Sequence, residues 1–558
     1  MLLSAVVALT FTPSLCAAFL RPARTPARVF AWFNRQFGRL TLGYALGVRR
    51  TLRRQWPVWA AYLAGMTAMA WLFVTLPTSF VPDEDQGAFY GMVQLPPTAS
   101  MERTEAVLAA IRDHILTHEK ATVENVLTVA GYSFFGAGQN VGQLYIVLRD
   151  WDRRKAPGAQ VEAILGRLRA RFADTAEGRV VFFRPATIRE MANSAGFEFE
   201  LMDMDGQGHE ALMAARDTLI GKARERDSLF NVRAGGLEDV FQYDIKVDVA
   251  KAMAHGLDKS GVDNAIAAYW GSSSINDFSE RGRTRRVYMQ ADAPFRMSIG
   301  DMAHYRLRNA DGEMTPLSVF TSIDESRGPP RLERYQGVPA VKILGEAAPG
   351  RSSGDAMEAM QELAVQLPHG FGFSWTGISL QERESGSSTA VLYTISVVAV
   401  FLCLAALYES WSVPFAVLLS MPCGLLGAAC AIWLAGMSNG IYFQIGVIAI
   451  MGLSAKNSIL IIVFARELLA AGKNVRQALM LAVRRRFRPI VMTSLAFVHG
   501  VTPLAFNSGA GSGAQNLVGV TVVFGVLSAT VFGLYLTPLF FLFIHSLAQR
   551  AKNLKEGA

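Results

Sequence analysis

The strongest constraint in this sequence is a set of long apolar stretches without a charged side chain. A helix that crosses a membrane needs about 20 predominantly apolar residues, because the hydrocarbon layer is roughly 30 Å thick. Five stretches reach that length, and two of them are long enough for two crossings. They lie at residues 1–20, 55–82, 388–408, 410–455 and 489–549. This pattern predicts a multispan membrane protein.

The two longest stretches are each interrupted by residues that favour turns. Gly436, Ser438, Asn439 and Gly440 divide the first, and the glycine-rich run Asn507–Gly513 divides the second. The sequence therefore predicts seven spans in all. They are placed near residues 1–20, 58–76, 388–408, 413–435, 442–465, 489–507 and 517–546.

The distribution of basic residues predicts the orientation of these spans. Nine arginines and no acidic residue lie between Arg21 and Arg54, and further basic clusters lie at Arg466–Arg488 and in the last ten residues. A basic block can bind nucleic acid, but its long apolar flanks favour a juxtamembrane segment on the cytoplasmic side. Alternating spans then place all three basic segments inside. The polar region at 83–380 falls outside, which in a Gram-negative inner membrane means the periplasm.

The composition agrees with a membrane part and a large external part. Hydrophobic residues make up 51% of the chain and charged residues 18%, which is too apolar for an ordinary soluble protein and too polar for a wholly embedded one. The stretch Phe30–Val48 predicts an amphipathic helix on the inner membrane surface. The predicted segments are a span at 1–20, a cytoplasmic basic linker with that helix at 21–56, a span at 57–77, periplasmic subdomains at 78–385, five spans at 386–548 and a cytoplasmic tail at 549–558.

The first part of the external region shows strand and helix periodicities in a regular order. Strand, helix, strand is followed by strand, helix, strand, which is the split βαβ, ferredoxin-like order. The predicted strands are Ala88–Leu95, Val123–Ala130, Leu144–Leu148 and Val180–Phe183, and the predicted helices are Glu102–His118 and Val161–Phe172.

The same order recurs downstream with less clarity. Its predicted strands are Phe197–Met202, Gln242–Val247 and Gly370–Trp375, and its predicted helices are His209–Glu225 and Ser353–Gln366. The strand–helix–strand order is interrupted at about 248–320, which predicts an inserted subdomain there. The predicted fold class is an α-helical multispan membrane domain with a large α+β periplasmic domain of ferredoxin-like (split βαβ) subdomains.

Seven short motifs then point to a family. They read FVPDEDQG at 80–87, WGSSSINDF at 270–278, LERYQGVPA at 332–340, ALYESWSVPF at 406–415, GLSAKN at 452–457, RPIVMTSLAF at 488–497 and GAGSGAQN at 509–516. In this combination the chain resembles the AcrB/MexB type of resistance-nodulation-division (RND) multidrug efflux transporter. Members have twelve spans in two repeats, each with a large periplasmic loop after its first span. The resemblance implies that this chain holds the last span of the first repeat and all of the second, and is not a complete pump alone.

Lys456 is the most informative residue of the membrane part, because it lies in the middle of a predicted span. A cation at that depth costs at least ~2.5–3.5 kcal/mol on insertion scales, so it needs an anionic partner or a water-lined cavity. No Asp or Glu occurs in any predicted span. The alternative interpretation, in which the side chain extends to the interface, is disfavoured by this depth.

The resemblance gives Lys456 a role in proton coupling. RND pumps pair this lysine with two aspartates in a helix of the first repeat. The resemblance also places Arg486 and Thr493 in the proton relay, where a hydroxyl can pass a proton and an arginine can hold water and carboxylate. The alternatives are a positive-inside anchor for Arg486 and a backbone-bonded hydroxyl for Thr493. His499 points away from the face of Thr493 and is interpreted as structural.

The resemblance also predicts two drug pockets. The loop Gly131–Tyr145 corresponds to the switch loop between them, and its glycines predict mobility. The distal pocket and switch-loop residues are Leu127, Val129, Tyr132, Phe134, Phe135 and Tyr145, and the proximal pocket residues are Phe182, Phe183, Glu190, Glu198 and Arg233. The alternative is that the strand residues form ordinary core and that Glu190 and Arg233 are surface charges.

The predicted function is proton-driven efflux of hydrophobic and amphiphilic drugs by a secondary active transporter, which is not an enzyme. The resemblance implies a homotrimer that meets a periplasmic adaptor and an outer-membrane channel of the TolC type, the latter through the subdomain at 248–320. No cofactor, metal site or nucleic-acid partner is predicted. An RND transporter of metal ions would need Met or acidic clusters, which the channel residues lack. An inactive truncated or split-gene product, which needs a separate first-half chain, is the remaining alternative.

Overall fold

The computed structural model describes residues 2–19, 28–82, 84–173, 175–188, 191–192, 194–509 and 511–556. Residues 1 and 20 of the predicted first span, residues 21–27 of the predicted basic linker, the last two residues of the tail and the predicted pocket residue Glu190 lie outside this description.

Fifteen α-helices and fifteen strands are found in the described part of the chain. The helices are α1 Leu2–Phe19, α2 Arg28–Arg53, α3 Gln55–Thr75, α4 Met101–His118, α5 Val161–Phe172, α6 His209–Arg224, α7 Val249–Ala254, α8 Lys259–Ile266, α9 Ser353–Ala364, α10 Gly377–Tyr408, α11 Ser412–Leu418, α12 Met421–Leu434, α13 Ile441–Ala470, α14 Val475–Ala505 and α15 Ser512–Glu556. The strands are β1 Ala88–Gln94, β2 Val123–Ser133, β3 Gly136–Leu148, β4 Arg179–Phe183, β5 Phe197–Asp203, β6 Leu229–Ala234, β7 Val240–Val247, β8 Ser273–Glu280, β9 Arg283–Met289, β10 Arg306–Arg308, β11 Met314–Pro316, β12 Thr321–Gly328, β13 Arg334–Tyr335, β14 Val338–Ala347 and β15 Phe371–Thr376.

Five helical segments are long and apolar enough to cross a membrane. They are Gln55–Thr75, Thr389–Tyr408, Ser412–Leu434, Ile441–Ala470 and Ser512–Arg550. The predicted span at 1–20 corresponds to a shorter apolar helix, Val6–Phe19. The predicted span at 489–507 lies in α14, whose amino-terminal half carries all the arginines of the basic cluster at 466–488 except Arg466. The helix thus begins well before the predicted span, at Val475, because the Leu, Ala, Arg and Met residues there are strong helix formers.

Small residues allow α12, α13 and α15 to approach one another closely. A Cβ atom added at Gly424 or Gly525 would lie 2.6 or 2.3 Å from a side-chain carbon of Ile450. One added at Gly446 would lie 2.6 Å from Thr521 Cγ2. Close backbone approach is how helices gain packing energy where lipid offers no hydrophobic driving force between them. These glycines therefore make α13 and α15 the centre of the bundle.

The helix α2 confirms the predicted amphipathic helix at 30–48 and extends it at both ends. Its buried face carries Tyr44, Ala45, Val48 and Leu52. The Tyr44 hydroxyl donates to the Leu534 carbonyl of α15 at 2.8 Å. The arginines of α2 lie on its exposed face, so α2 is attached to the bundle and has a basic outer surface.

The first α+β unit spans residues 88–183 and contains one antiparallel sheet in the order β2-β3-β1-β4. The helices α4 and α5 bury their apolar stripes against one face of this sheet. The side chain of Ser100 caps α4 by accepting from the Arg103 amide, which satisfies a donor at the helix start. The predicted helices and four predicted strands are confirmed in position.

The second α+β unit comprises residues 197–234 and 338–376 and has the equivalent strand order, β6-β14-β5-β15. Its core lies between this sheet and the helices α6 and α9. The prediction that Gln242–Val247 belongs to this unit was wrong, because β7 pairs with β12 in a separate ribbon. The strand that fills the position is β6, Leu229–Ala234, which the sequence prediction missed.

The inserted subdomain is larger than the predicted 248–320. It occupies the connection between β6 and β14, begins with the β7–β12 ribbon and has its own small core. Phe320 and Leu317 are buried there beside Val262. The ribbon was missed as a boundary because its side chains alternate between half-buried and exposed, so it has no fully buried face.

A buried ion pair joins Arg154 of the first unit to Asp85, which precedes β1. Arg154 Nη1 lies 2.9 Å from Asp85 Oδ2, and the two side chains are 1% and 9% exposed. We expect Asp85→Ala to destabilise this unit by about 3–5 kcal/mol, because it leaves a buried guanidinium without a counter-charge. The measurement is the thermal unfolding midpoint of the purified chain, together with hydrogen exchange of peptides from this unit.

The matched control is Asp152→Ala, which removes the partner of Lys155 in a pair whose side chains are 87% and 67% exposed. We expect no measurable loss of stability there, since exposed ion pairs contribute little. Equal effects of the two substitutions would contradict the role given to the buried pair.

Candidate functional site

Lys456 lies on the one face of α13 that the rest of the described chain leaves uncovered. Ile445, Ala449, Gly452 and Lys456 follow one another at helical spacing, and all are exposed. No hydrogen bond or ion pair joins Lys456 to any residue that the structure describes. The lysine therefore points into a surface where a partner helix or water is needed.

Thr493 and Arg486 lie on the neighbouring helix α14. Thr493 is exposed, and its hydroxyl donates to the Ile490 carbonyl at 3.1 Å. The guanidinium carbon of Arg486 lies 4.6 Å from the ring centre of Phe464. Arg486 is half-buried, and its Nε atom is buried without a hydrogen-bond partner within the described residues.

His499 is also exposed on α14, and its Nδ1 atom lies 2.9 Å from the Leu495 carbonyl. This contact with its own helix backbone agrees with the structural interpretation. Residues that the sequence analysis missed lie on the opposite face of α13, where Ser454, Asn457 and Ser458 are buried. Polar residues in apolar spans could have drawn attention to them, although nothing in the sequence shows which of them meet.

The segment Gly131–Tyr145, predicted to be a mobile hairpin loop between two strands, is a β-hairpin with longer strands than predicted. The strands β2 and β3 continue through it, and only Phe134 and Phe135 form the turn. The predicted strands Val123–Ala130 and Leu144–Leu148 were too short, because Gly131 (φ +83°) accommodates a register shift and the ladder continues past it. Ladder hydrogen bonds therefore hold this segment in place.

The hairpin brings four aromatic rings together on the face of the sheet opposite α4 and α5. The ring centre of Tyr90 lies 5.4 Å from Phe134, 5.3 Å from Tyr145 and 6.0 Å from Phe183. Three of these are predicted pocket residues, and Tyr90 was missed. Burial raises the pKa of the Tyr145 hydroxyl, as do the adjacent tyrosines.

The other predicted distal residues differ in their surroundings. Leu127 and Tyr132 are 60% and 49% exposed, Val129 is half-buried, and Phe135 is 8% exposed in a cluster with Met92. Phe135 is thus a packing residue between the two α+β units. Gln143, opposite Val129 on β3, is fully buried, and neither of its amide atoms has a partner among the described residues.

The predicted proximal residues divide between core and cavity. Phe182 packs in the core of the first unit, 5.8 Å from the ring of Phe172. Phe183 faces the other way and lines a cavity of about 430 Å³. The same cavity has Phe134 and Phe135 in its wall together with Glu198, so it joins members of both predicted pockets.

The polar wall of this cavity holds an ion-paired group. Lys342 Nζ lies 3.0 Å from Glu198 Oε2 and 3.5 Å from Glu200 Oε1. Burial raises the pKa of Glu200 to about 7, although Lys342 acts in the opposite direction. Arg233 adjoins the ring of Phe183, with its guanidinium carbon 5.3 Å from the ring centre.

Arg233 is 1% exposed, so it is not a surface charge. Its Nη1 atom donates to the Asn231 carbonyl at 3.2 Å, while Nε and Nη2 have no partner within the described residues. Burial lowers its pKa to about 10. A buried guanidinium with unpaired N–H groups can donate hydrogen bonds to a polar ligand group that reaches it.

The membrane helices, the paired α+β units and the exposed intramembrane lysine together define a transporter-type architecture. The sequence model of the AcrB/AcrD/AcrF family matches residues 1–545. The chain therefore belongs to this family of RND efflux transporters.

Individual relatives agree with this family. The chain is 46% identical over 554 residues to the multidrug export protein AcrF of Escherichia coli (strain K12), covering 98% of this chain and 53% of that protein. It is 45% identical over 559 residues to the multidrug resistance protein MdtF of the same strain, covering 99% and 54%. It is 43% identical over 551 residues to the toluene efflux pump membrane transporter TtgB of Pseudomonas putida, covering 98% and 52%. The chain thus spans about half the length of the curated relatives it matches.

The raised pKa of Glu200 predicts a pH-dependent stability. The unfolded carboxyl group titrates near 4.5 and the folded one near 7, so between these values the folded state binds more protons. The free energy of unfolding should therefore fall as pH rises through this interval and level off above it. Glu200→Gln should remove this component. The measurement is the thermal midpoint of both proteins from pH 4 to 8, and a pH-independent difference between them would contradict the assignment.

Proposed function

We propose that this chain is the second-repeat half of a proton-driven RND pump that exports hydrophobic and amphiphilic compounds across the inner membrane of a Gram-negative cell. The observation that carries the proposal is Lys456, a cation in the middle of α13 that faces away from the bundle without an acidic partner among the described residues. A first repeat, on the same or another polypeptide, supplies the counter-charge.

The proposed switch is the ion pair between Lys456 and carboxylates of a first-repeat helix. Protonation neutralises a carboxylate and removes most of its attraction to the lysine, so the pair opens and re-forms as protons bind and leave. Thr493 and Arg486 hold the water that reaches this point. Their positions on α14, beside α13, support this role.

Substrate passage is assigned to the two α+β units, which are placed in the periplasm. Their equivalent strand order supports classifying both as ferredoxin-like subdomains. The aromatic cluster around Tyr90 gives apolar contact area, and the cavity with Glu198 and Arg233 beside it gives polar contacts. That combination suits amphiphilic ligands. Tyr132 and Tyr145 add hydroxyls to the distal pocket.

Assembly is proposed to follow the family, which generally works as trimers with an adaptor and an outer-membrane channel. The inserted subdomain between β6 and β14 is the proposed contact with a channel of the TolC type. Proton antiport drives the cycle, and the mechanism uses no enzyme chemistry, cofactor, metal ion or nucleic acid.

The test is dye efflux in cells that produce the chain together with a first repeat. We expect Lys456→Ala to reduce efflux to the background level, because a neutral side chain cannot form the ion pair. Lys473→Ala, at an exposed position in the α13–α14 connection, is the matched control and should leave efflux unchanged.

Efflux by the chain alone, with Lys456→Ala as active as the parent, would overturn the mechanism. Efflux absent in every combination of chains would favour the alternative of an inactive product.

A further inference from the structure

We infer that Asn457, Ser494 and Thr530 are positioning residues that hold Lys456 and Thr493 at the uncovered surface of the bundle. The inference rests on the proposed function and concerns how the relay residues are oriented. The three side chains come from α13, α14 and α15, and all are buried, at 6%, 6% and 7% exposure.

The three side chains form a closed hydrogen-bonded triad. Asn457 Nδ2 donates to Thr530 Oγ1 at 3.0 Å and to Ser494 Oγ at 3.3 Å. Thr530 Oγ1 and Ser494 Oγ are 2.9 Å apart. Both amide hydrogens of Asn457 are therefore used, one toward each neighbouring helix.

This triad favours one rotation of α13 because both bonds of the Asn457 amide lead to other helices. The Thr530 hydroxyl also donates to the Val526 carbonyl of its own helix at 2.7 Å, which fixes the side chain that receives the Asn457 bond. Inside a membrane no water is available to replace a lost hydrogen bond, and a buried amide without partners is costly. Turning α13 or α14 about its axis would break the Asn457 bonds. Apolar contacts alone are less selective, since several rotations of an apolar helix bury similar side chains.

Each relay residue directly precedes a member of the triad. Lys456 precedes Asn457 on α13, and Thr493 precedes Ser494 on α14. Successive residues on a helix point about 100° apart, so fixing Asn457 and Ser494 inward leaves Lys456 and Thr493 at the outer edge. The exposure of both relay residues agrees with this geometry.

A second hydroxyl cluster offers a matched control at a similar level of the bundle. Ser458 Oγ lies 2.7 Å from Ser420 Oγ and 2.9 Å from Thr537 Oγ1. This cluster ties α13 to α15 and to the α11–α12 junction, and it includes no residue of α14. Thr537 is 0% exposed. Removing its hydroxyl tests general loss of a buried hydrogen bond without disturbing the α13–α14 contact.

The experiment measures efflux by the chain produced with a first repeat, as a function of external pH and of dye concentration. The variants are Asn457→Leu, Thr530→Val and its conservative counterpart Thr530→Ser, with Thr537→Val as control and Lys456→Ala in parallel. We expect Asn457→Leu and Thr530→Val to lower the maximal rate about tenfold and to shift its pH midpoint, with the KM for dye unchanged. Thr530→Ser should retain the parent profile, and so should Thr537→Val.

An unchanged rate and pH midpoint in Asn457→Leu would overturn the inference, and so would a shift of the same size in Thr537→Val. If Asn457→Leu fails to accumulate, Ser494→Ala, which removes only one hydroxyl, takes its place with the same expectation. Loss of efflux in Lys456→Ala with normal triad variants would reject this inference alone. Full activity of Lys456→Ala would instead reject the proposed function.

Discussion

A cation in the apolar part of a membrane needs a counter-charge, and this constraint organises the membrane part of the protein. Lys456 lies midway along α13, and the described residues provide it with no ion pair. The face of α13 that bears it is also the face that the other described helices leave bare. One side of α13 is therefore packed against the other described helices, whereas the side that bears Lys456 still needs a counter-charge.

Contacts on the packed side of α13 fix the orientation of the face that bears Lys456. Glycines such as Gly446 and Gly525 let α13 meet α15 at close range, and hydrogen bonds from Asn457 and Ser458 fix the rotation of α13. Outside the membrane, two units of equivalent strand order share an apolar contact at Phe135 and a polar cavity at Glu198. Rigid elements thus surround both the lysine and the cavity, and movement is left to the contacts between them.

Much of the fold could be predicted because its signals are local. Uncharged apolar runs located the five helical segments that are long and apolar enough to cross a membrane, and helical periodicity gave α5 with the bounds that the structure has, Val161–Phe172. The strand β6 was missed, since only its pairing with β14 makes it part of the sheet. The strands of the hairpin at 131–145 were predicted to be too short, because its glycines resemble turn residues until their cross-strand partners are known. Lys456 was recognisable by its charge, whereas Asn457, Ser494 and Thr530 are widely separated in sequence and become a group only in three dimensions.

Site-specific photo-crosslinking from the bare face of α13 tests the central claim most directly. Gly452 lies one turn before Lys456, and a Cβ atom added there would meet nothing within 4 Å, so a photoreactive residue fits without disturbing the bundle. We expect an adduct with a protein segment that carries intramembrane carboxylates when the chain is produced with a first repeat. Adducts with lipid alone, under conditions in which efflux is active, would contradict it.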